Sequence, residues 1–313
     1  MTDAFATPVL TPPLAVGATV EVDRIDHRLA LGIQWIDAQS RLAAPGAWTA
    51  QLETIGARTC PLTFDAHPQS RHALRWTGLL ARVLARGAAD KLAAPPPTPD
   101  VDQTRFNLRA FAQRDVGATA WDADDDPRKY VPRRLSMIPV QSLGVPAATA
   151  ANSRQAWLWP GVAYALPSNT TALGGCVRRG ASLAAAVVVP WARVIVTAPK
   201  TKPGVFANET QVGWGHVDDR GEFVVVLGTT AVPGGAVLPP TLALHVWLFL
   251  PPVAVPAADP LAALPLEVAG TDALNDVLRG IAPPAGYLSQ APIPVSVIPG
   301  EVLVMNDADL LFT

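Results

Sequence analysis

The chain has 313 residues, of which 50% are hydrophobic and 16% charged, and its formal net charge is −2. This length suits two domains better than one, and the apolar content is sufficient for sizeable cores. A chain without a basic tail or a positive net charge is not typical of nucleic-acid-binding proteins, so we expect no nucleic-acid partner. Apolar runs such as Ala184–Trp191 are far shorter than the roughly 20 residues of a membrane-spanning helix, so we expect no membrane span.

Proline and glycine content favours strands over helices. The chain contains 32 prolines and 23 glycines, and a proline inside a helix costs about 3 kcal/mol. Several short segments instead alternate between apolar and polar residues, as strands with one buried face do. We therefore predict an all-β fold with two tandem antiparallel β-sandwich domains, proline-rich terminal arms and one short C-terminal helix.

The first half begins with an apolar, proline-rich segment without periodicity. We predict that residues 1–20 form an extended arm and that residues 21–145 form the first β-sandwich. Asp3 stands where a signal peptide would carry a basic residue, so we expect a cytoplasmic protein, or one released as part of a particle. The predicted strands are Arg28–Asp37, Ala47–Glu53, His72–Trp76, Leu79–Leu84 and Arg105–Gln113; the predicted loops are Ala93–Asp100 and the polar segment 115–135.

The second half is predicted to form another β-sandwich over residues 154–256. Its predicted strands are Ala184–Val189, which we expect to be buried on both faces, Arg193–Thr197, Glu222–Leu227 and Leu242–Leu250. Residues 257–313 are predicted to be a proline-rich extension, with a helix that Thr271 caps and Gly280 ends. Two short strands are predicted there, Val295–Ile298 and Glu301–Met305. The apolar end, residues 310–312, is predicted to pack on its own domain or on a partner, which makes Phe312 an interface candidate.

Three short motifs in the second half carry a family resemblance. They are Leu173-Gly174-Gly175-Cys176-Val177, then Pro190-Trp191-Ala192-Arg193-Val194-Ile195-Val196, then Asp218-Asp219-Arg220-Gly221-Glu222-Phe223. This pattern resembles the carboxypeptidase-regulatory-like (transthyretin-like) β-sandwich. In the third motif Asp218 is suited to hold a turn through the backbone, and Gly221 to adopt a positive φ. The resemblance implies an accessory or assembly module, and it implies no catalytic residues.

The acidic residues, cysteines and histidines are the residue types that could bind a metal or act as catalysts. The acidic segment offers Asp122, Asp124, Asp125 and Asp126 as candidate calcium ligands, but it lacks the glycine and glutamate of an EF-hand loop. We favour a solvated loop whose carboxylates pair with Arg128, Lys129, Arg133 and Arg134. The two cysteines, Cys60 and Cys176, are predicted to be free and buried. The five histidines show no metal-binding spacing, and we expect neither a metal nor a cofactor.

Nine tryptophans raise the alternative of sugar binding through ring stacking. Trp35, Trp48, Trp191 and Trp247 lie inside apolar segments and are predicted to be in the core. Trp121, Trp157, Trp159 and Trp214 are better candidates for exposure, and we take Trp157, Trp159 and Trp214 as ligand candidates.

Three functions follow as hypotheses from these features. The first is a non-enzymatic structural or adaptor protein that joins a multi-subunit assembly or homo-oligomer, such as a bacterial phage-tail-like contractile injection particle. The alternative is a module that binds carbohydrate or a cell-surface polymer through exposed tryptophans. The third is an enzyme that uses His216 with Asp218 or Asp219, which we disfavour because the aspartates also serve the turn.

Overall fold

A computed structural model describes residues 29–75, 105–114, 120–138, 153–200, 204–228, 239–252, 259–270 and 276–313. The described chain is almost entirely β-structure, which confirms the all-β prediction. The predicted arm 1–20, the strand Leu79–Leu84, the loop Ala93–Asp100 and the cap Thr271 lie outside the described residues. Within them, no helix is long or apolar enough to cross a membrane.

The described residues before position 160 form eight strands. They are β1 (Leu29–Asp37), β2 (Trp48–Ile55), β3 (Arg58–Thr63), β4 (Asp65–His67), β5 (Arg71–Arg75), β6 (Phe106–Ala112), β7 (Arg133–Met137) and β8 (Ser153–Leu158). The predicted strands at 28–37, 47–53, 72–76 and 105–113 therefore correspond to β1, β2, β5 and β6. Strand β7 lies in the segment predicted to be a polar loop, because its arginines pair with acidic partners inside the fold.

The strands of the second half follow. They are β9 (Ala172–Cys176), β10 (Arg178–Arg179), β11 (Val187–Val188), β12 (Arg193–Ala198), β13 (Thr210–His216), β14 (Glu222–Val226), β15 (Leu242–Leu250), β16 (Leu266–Val268), β17 (Leu288–Ser289), β18 (Ile293–Val297), β19 (Val302–Val304) and β20 (Leu311–Phe312). A helix, α1, covers Asp276–Arg279, and short 3-10 helices cover Leu183–Ala185, Phe206–Asn208 and Pro260–Ala263. Gly280 follows α1 with φ of 67°, as predicted for a helix end.

The first sandwich packs a sheet of order β4-β5-β1-β8 against one of order β16-β7-β6-β2-β3. Side chains from both sheets, such as Trp35 and Phe106, share one core. Strand β8 contains residue 154, the predicted start of the second domain, yet it pairs with β1, and Ala156 and Leu158 belong to the first core. Likewise β16, from the predicted extension, pairs with β7.

The second sandwich packs the sheet β13-β12-β15-β17, with β18 also beside β15, against the sheet β14-β9-β19. Val194, Val246 and Phe223 lie in the core between them. A separate three-stranded sheet has the order β11-β10-β20. The prediction for Ala184–Val189 is wrong: Leu183–Ala185 is a 3-10 helix, and Val187 and Val188 are 65% and 40% exposed.

The sheets are mixed, whereas the sequence predicted antiparallel sheets. Four strand pairs are parallel: β1 with β8, β16 with β7, β19 with β9 and β20 with β10. Each joins segments that are far apart in sequence, because parallel strands need a long connection. The alternation of apolar and polar residues shows which face of a strand is buried, but it does not show which strand lies beside it.

Candidate interaction surface

The outer face of the sheet β14-β9-β19 is apolar in the two rows that span all three strands, and the next row pairs Glu222 with Cys176. One row places Val226 beside Ala172 and Ala172 beside Val302; the next aligns Val224, Gly174 and Val304. Alternate residues of the same strands, such as Leu173 and Val225, point into the core. We call the six outward residues Ala172, Gly174, Val224, Val226, Val302 and Val304 the valine face.

Exposure of the valine face rises toward β19. Val302 is 52% exposed and Val304 is 75% exposed, whereas Val224 and Val226 are half-buried and Ala172 is buried. The β19 end of this face is exposed to solvent, and a solvent-facing side of a sheet ordinarily carries polar residues. A contiguous apolar patch on such a face is typical of a protein–protein contact.

Two glycines of β9 lack side chains where a side chain would project, one on the core side of the sheet and one on its outer side. A Cβ at Gly175 would lie 2.4 Å from Leu310 Cδ1, so Gly175 makes room for a core side chain. A Cβ at Gly174 would lie 3.3 Å from the Phe223 carbonyl oxygen, and without it the centre of the valine face is flat. Cys176 follows on the same outward side and is half-buried, which corrects the prediction that both cysteines are buried; Cys60 is buried.

The signal for this face was present in the sequence. Residues 222–227 read EFVVVL and residues 302–304 read VLV, so both strands are apolar at consecutive positions. Consecutive apolar residues indicate a strand that contacts apolar groups on both faces. Strands with one buried face were predicted, and the turn at Asp218–Gly221 was singled out. That prediction did not include a strand after the turn with apolar residues on both faces.

The three ligand-candidate tryptophans lie together, but little of their ring surface is open. Trp159 is 2% exposed, with its ring centroid 6.3 Å from that of Trp157 and 6.2 Å from that of Trp214. The Arg41 guanidinium carbon lies 3.7 Å from the Trp157 ring centroid. A sugar would have to displace Arg41 to stack on that face, so glycan binding stays a prediction.

The acidic segment does not gather its carboxylates. Asp126 is buried and accepts hydrogen bonds from Trp121 Nε1 at 3.0 Å and from the Arg128 N–H at 2.8 Å. Asp122 accepts from the Asp124 N–H at 2.9 Å. Among the described residues, no three acidic, histidine or cysteine side chains are grouped as a metal site requires.

The basic residues after this segment pair elsewhere, which corrects the predicted pairing for three of them. Arg128 donates to Asp219 at 2.7 Å and to Asp218 at 3.3 Å. Arg133 binds Glu267, and Arg134 binds Glu53. The acidic partners come from distant segments, so sequence proximity did not identify them.

Phe312 packs on its own chain. Strand β20 pairs with β10, Leu310 is fully buried, and Phe312 is half-buried against the second core. Of the two predicted outcomes for the apolar end, docking on the same chain is the one observed.

His216 and the turn aspartates have structural partners. His216 is fully buried, and its Nε2 lies 2.8 Å from the Gly280 carbonyl oxygen. Burial, with Arg193 and Arg133 nearby, lowers the pKa of His216 well below its ordinary value. Asp218 accepts hydrogen bonds from the Arg220 and Glu222 N–H groups at 2.9 Å, as predicted for a turn. Burial raises the pKa of Asp218 to about 6.

Two clefts flank the β4–β5 hairpin, with volumes of 450 and 430 Å³. His67, Pro68, Gln69 and His72 line both of them. None of the three ligand-candidate tryptophans lines either cleft, so the clefts and the tryptophan cluster are separate features of the described chain.

No protein-family model matches the chain, and no curated protein matches it. Among solved structures, the chain is similar to the Bacillus anthracis TIE protein at 7% identity and a TM-score of 0.21, over 90% of this chain and 33% of that protein. It is similar to GBS52, the minor pilin of Streptococcus agalactiae, at 10% identity and a TM-score of 0.19, over 88% of this chain and 93% of the pilin. The chain thus spans about a third of the TIE protein. Similarities this weak assign neither a fold family nor a function.

Proposed function

We propose that this chain is a non-enzymatic structural or adaptor protein that docks into a larger multi-subunit assembly through its valine face. The observation that carries the proposal is the apolar valine face of β14-β9-β19, where Val302 and Val304 are more than half exposed. Full burial of a valine side chain is worth about 1.5–3 kcal/mol, so covering these residues favours association.

The open edge of the same sheet supports this role. β19 is the terminal strand of the sheet order, and it carries neither lysine nor proline. Soluble proteins ordinarily protect such edges with charges, proline or a covering segment. A partner that covers β19 removes the need for that protection.

The proposed setting is a phage-tail-like contractile injection particle. This setting rests on the resemblance of residues 173–223 to the carboxypeptidase-regulatory-like β-sandwich, a domain type that implies accessory or assembly modules. It is therefore an analogy with other proteins that contain such domains. The predicted C-terminal extension is not a free arm: β16 to β20 pair with strands from earlier in the chain, so its described residues are part of the scaffold.

The proposal is tested with a tagged chain expressed in its source organism. We expect the wild-type chain to sediment with a large particle in a density gradient, and Val302→Lys to move it to the light fractions. Val268→Lys is the matched control, because Val268 is equally exposed, at 52%, on the edge strand β16 of the other sandwich. A wild-type chain that stays in the light fractions under all growth conditions contradicts the proposal.

A further inference from the structure

The free edge of β19 has its backbone groups arranged for pairing. The carbonyl of Glu301 accepts from the Ala172 N–H at 3.1 Å, and the Met305 N–H donates to the Gly174 carbonyl at 2.8 Å. Odd-numbered residues therefore face β9. Because successive strand residues direct their backbone groups to opposite edges, the N–H and C=O groups of Val302 and Val304 point away from β9. No described strand pairs with that side.

We propose that the partner at this edge is a second copy of the chain, and that the two β19 strands pair antiparallel about a two-fold axis at Leu303. The inference rests on the proposed function, since it names the partner of the same surface. Closed two-fold pairing is the commonest form of self-association, and it needs a surface that is complementary to itself.

The edge of β19 is complementary to itself when two copies pair in this register. With the axis at Leu303, Val302 of each copy lies opposite Val304 of the other. Both residues have outward backbone groups, so each such pair exchanges both of its N–H···O=C hydrogen bonds. Glu301, the exposed carboxylate beside β19, then lies opposite Met305 and not opposite its own copy. No like charges face each other, which would otherwise oppose pairing.

Pairing in this register also joins the two valine faces. The row of Val226, Ala172 and Val302 continues into Val304, Gly174 and Val224 of the second copy. The result is one apolar face across six strands, twice as wide as in one copy. The edge contact itself is small, so we expect a weak, concentration-dependent dimer.

Sedimentation velocity on the purified full chain tests the association. We expect a shift from monomer to dimer between about 10 μM and about 1 mM, because a contact this small associates weakly. Val304→Lys should abolish dimerisation over that range. Val304→Thr keeps the shape and the backbone groups and should retain it, and Val268→Lys should leave it unchanged. Near-ultraviolet circular dichroism checks that each variant is folded.

A distance measurement tests the register. Cys176 on β9 aligns with Glu222 and lies two residues beyond Gly174, the neighbour of Val304. From a strand spacing of about 4.8 Å and a rise of about 3.3 Å per residue, the two Cys176 Cα atoms lie about 24 Å apart in the dimer. Spin labels on Cys176, with Cys60→Ala to leave one thiol, should report a distance near this value by pulsed electron resonance.

Three outcomes overturn the inference: a monomer at about 1 mM, a dimer that Val304→Lys leaves intact, or a label distance outside about 15–35 Å. Its failure is distinguishable from failure of the proposed function. If the purified chain stays monomeric while Val302→Lys still releases the tagged chain from a particle, only the second copy is excluded as the partner.

Discussion

At the scale of single residues, Glu209 shows how a buried carboxylate is kept charged. It accepts hydrogen bonds from Thr197, from the Gly204 N–H at 2.7 Å and from Trp247 Nε1 at 3.0 Å, and it lies 2.7 Å from His245 Nδ1. Burial alone would raise the pKa of Glu209, but these hydrogen bonds outweigh it and lower the pKa to about 2.

This network predicts acid sensitivity with a definite sign. Because the pKa of Glu209 is lower in the folded chain than its ordinary 4.5, the carboxylate contributes its stability fully above pH 4.5 and loses it as the pH falls through about 2. Glu209→Gln should therefore lower the free energy of unfolding at pH 7 by about 1–3 kcal/mol. It should also flatten the decline below pH 4.5, measured by urea unfolding at several pH values.

The control for Glu209 is Glu301→Gln, which changes an exposed glutamate of the same sandwich. We expect its unfolding curve to follow the wild type at every pH. An identical acid decline in Glu209→Gln and the wild type would show that other groups govern it.

At the scale of elements, strands with a strong apolar pattern were predictable, including the short β18 and β19 at the predicted 295–298 and 301–305, whereas β3 and β4 were not. The predicted strand Leu242–Leu250 has the bounds of β15, and the prediction at Arg193–Thr197 differs from β12 by one residue. Both have long apolar runs that end at proline or polar residues. Strands β3 and β4 are short and expose much of their surface, so their pattern resembles that of loops. Tertiary pairing, which the local sequence does not encode, places them in sheets.

The candidate surface was less predictable than the fold. The three ligand-candidate tryptophans do meet, but the valine face was not among the predicted sites. The valine face needs β19 beside β9, a pairing between residues roughly 130 positions apart. No local periodicity reports that pairing, so the outward valines of three strands could not be assigned to one face.

The C-terminal strand provides a prediction at this scale. Leu310 is fully buried in the second core, whereas Leu288 on β17 is 67% exposed. Leu310→Ala should lower the free energy of unfolding by about 2–5 kcal/mol, because it leaves a cavity in the core. Leu288→Ala should change it by less than about 0.5 kcal/mol. Thermal unfolding of both variants measures the difference, and equal effects would refute the docking of residues 310–312 on their own chain.

At the scale of the whole molecule, a buried charge cluster joins the two sandwiches. Arg133 on β7 donates to Glu267 at 3.1 and 2.7 Å, and Arg193 on β12 donates to the same carboxylate at 3.1 Å. All three side chains are at most 3% exposed. Arg133 also donates to the carbonyl oxygens of Trp157 on β8 and Leu278 in α1. Elements of both sandwiches and of the C-terminal extension therefore meet at this cluster.

This cluster predicts that the sandwiches unfold together. Glu267→Gln leaves two buried guanidinium groups without a carboxylate, which should cost about 3–5 kcal/mol. Asp65→Asn, which breaks the surface pair with Arg75, should cost less than about 1 kcal/mol. Urea unfolding followed by tryptophan fluorescence and by circular dichroism should give one coincident transition in the wild type. Separate transitions in the wild type would contradict the coupling.

The late position of β19 and β20 in the chain has a consequence for biosynthesis. Their parallel partners β9 and β10 are translated roughly 130 residues earlier. At about 5–20 residues per second, the edge of β9 waits on the order of 10 seconds before its neighbour leaves the ribosome. During that interval the nascent chain presents an unpaired strand and the uncovered core that Leu310 later fills. Chaperone dependence of the newly made chain should therefore be concentrated in this window, and slowing translation after residue 228 should increase aggregation.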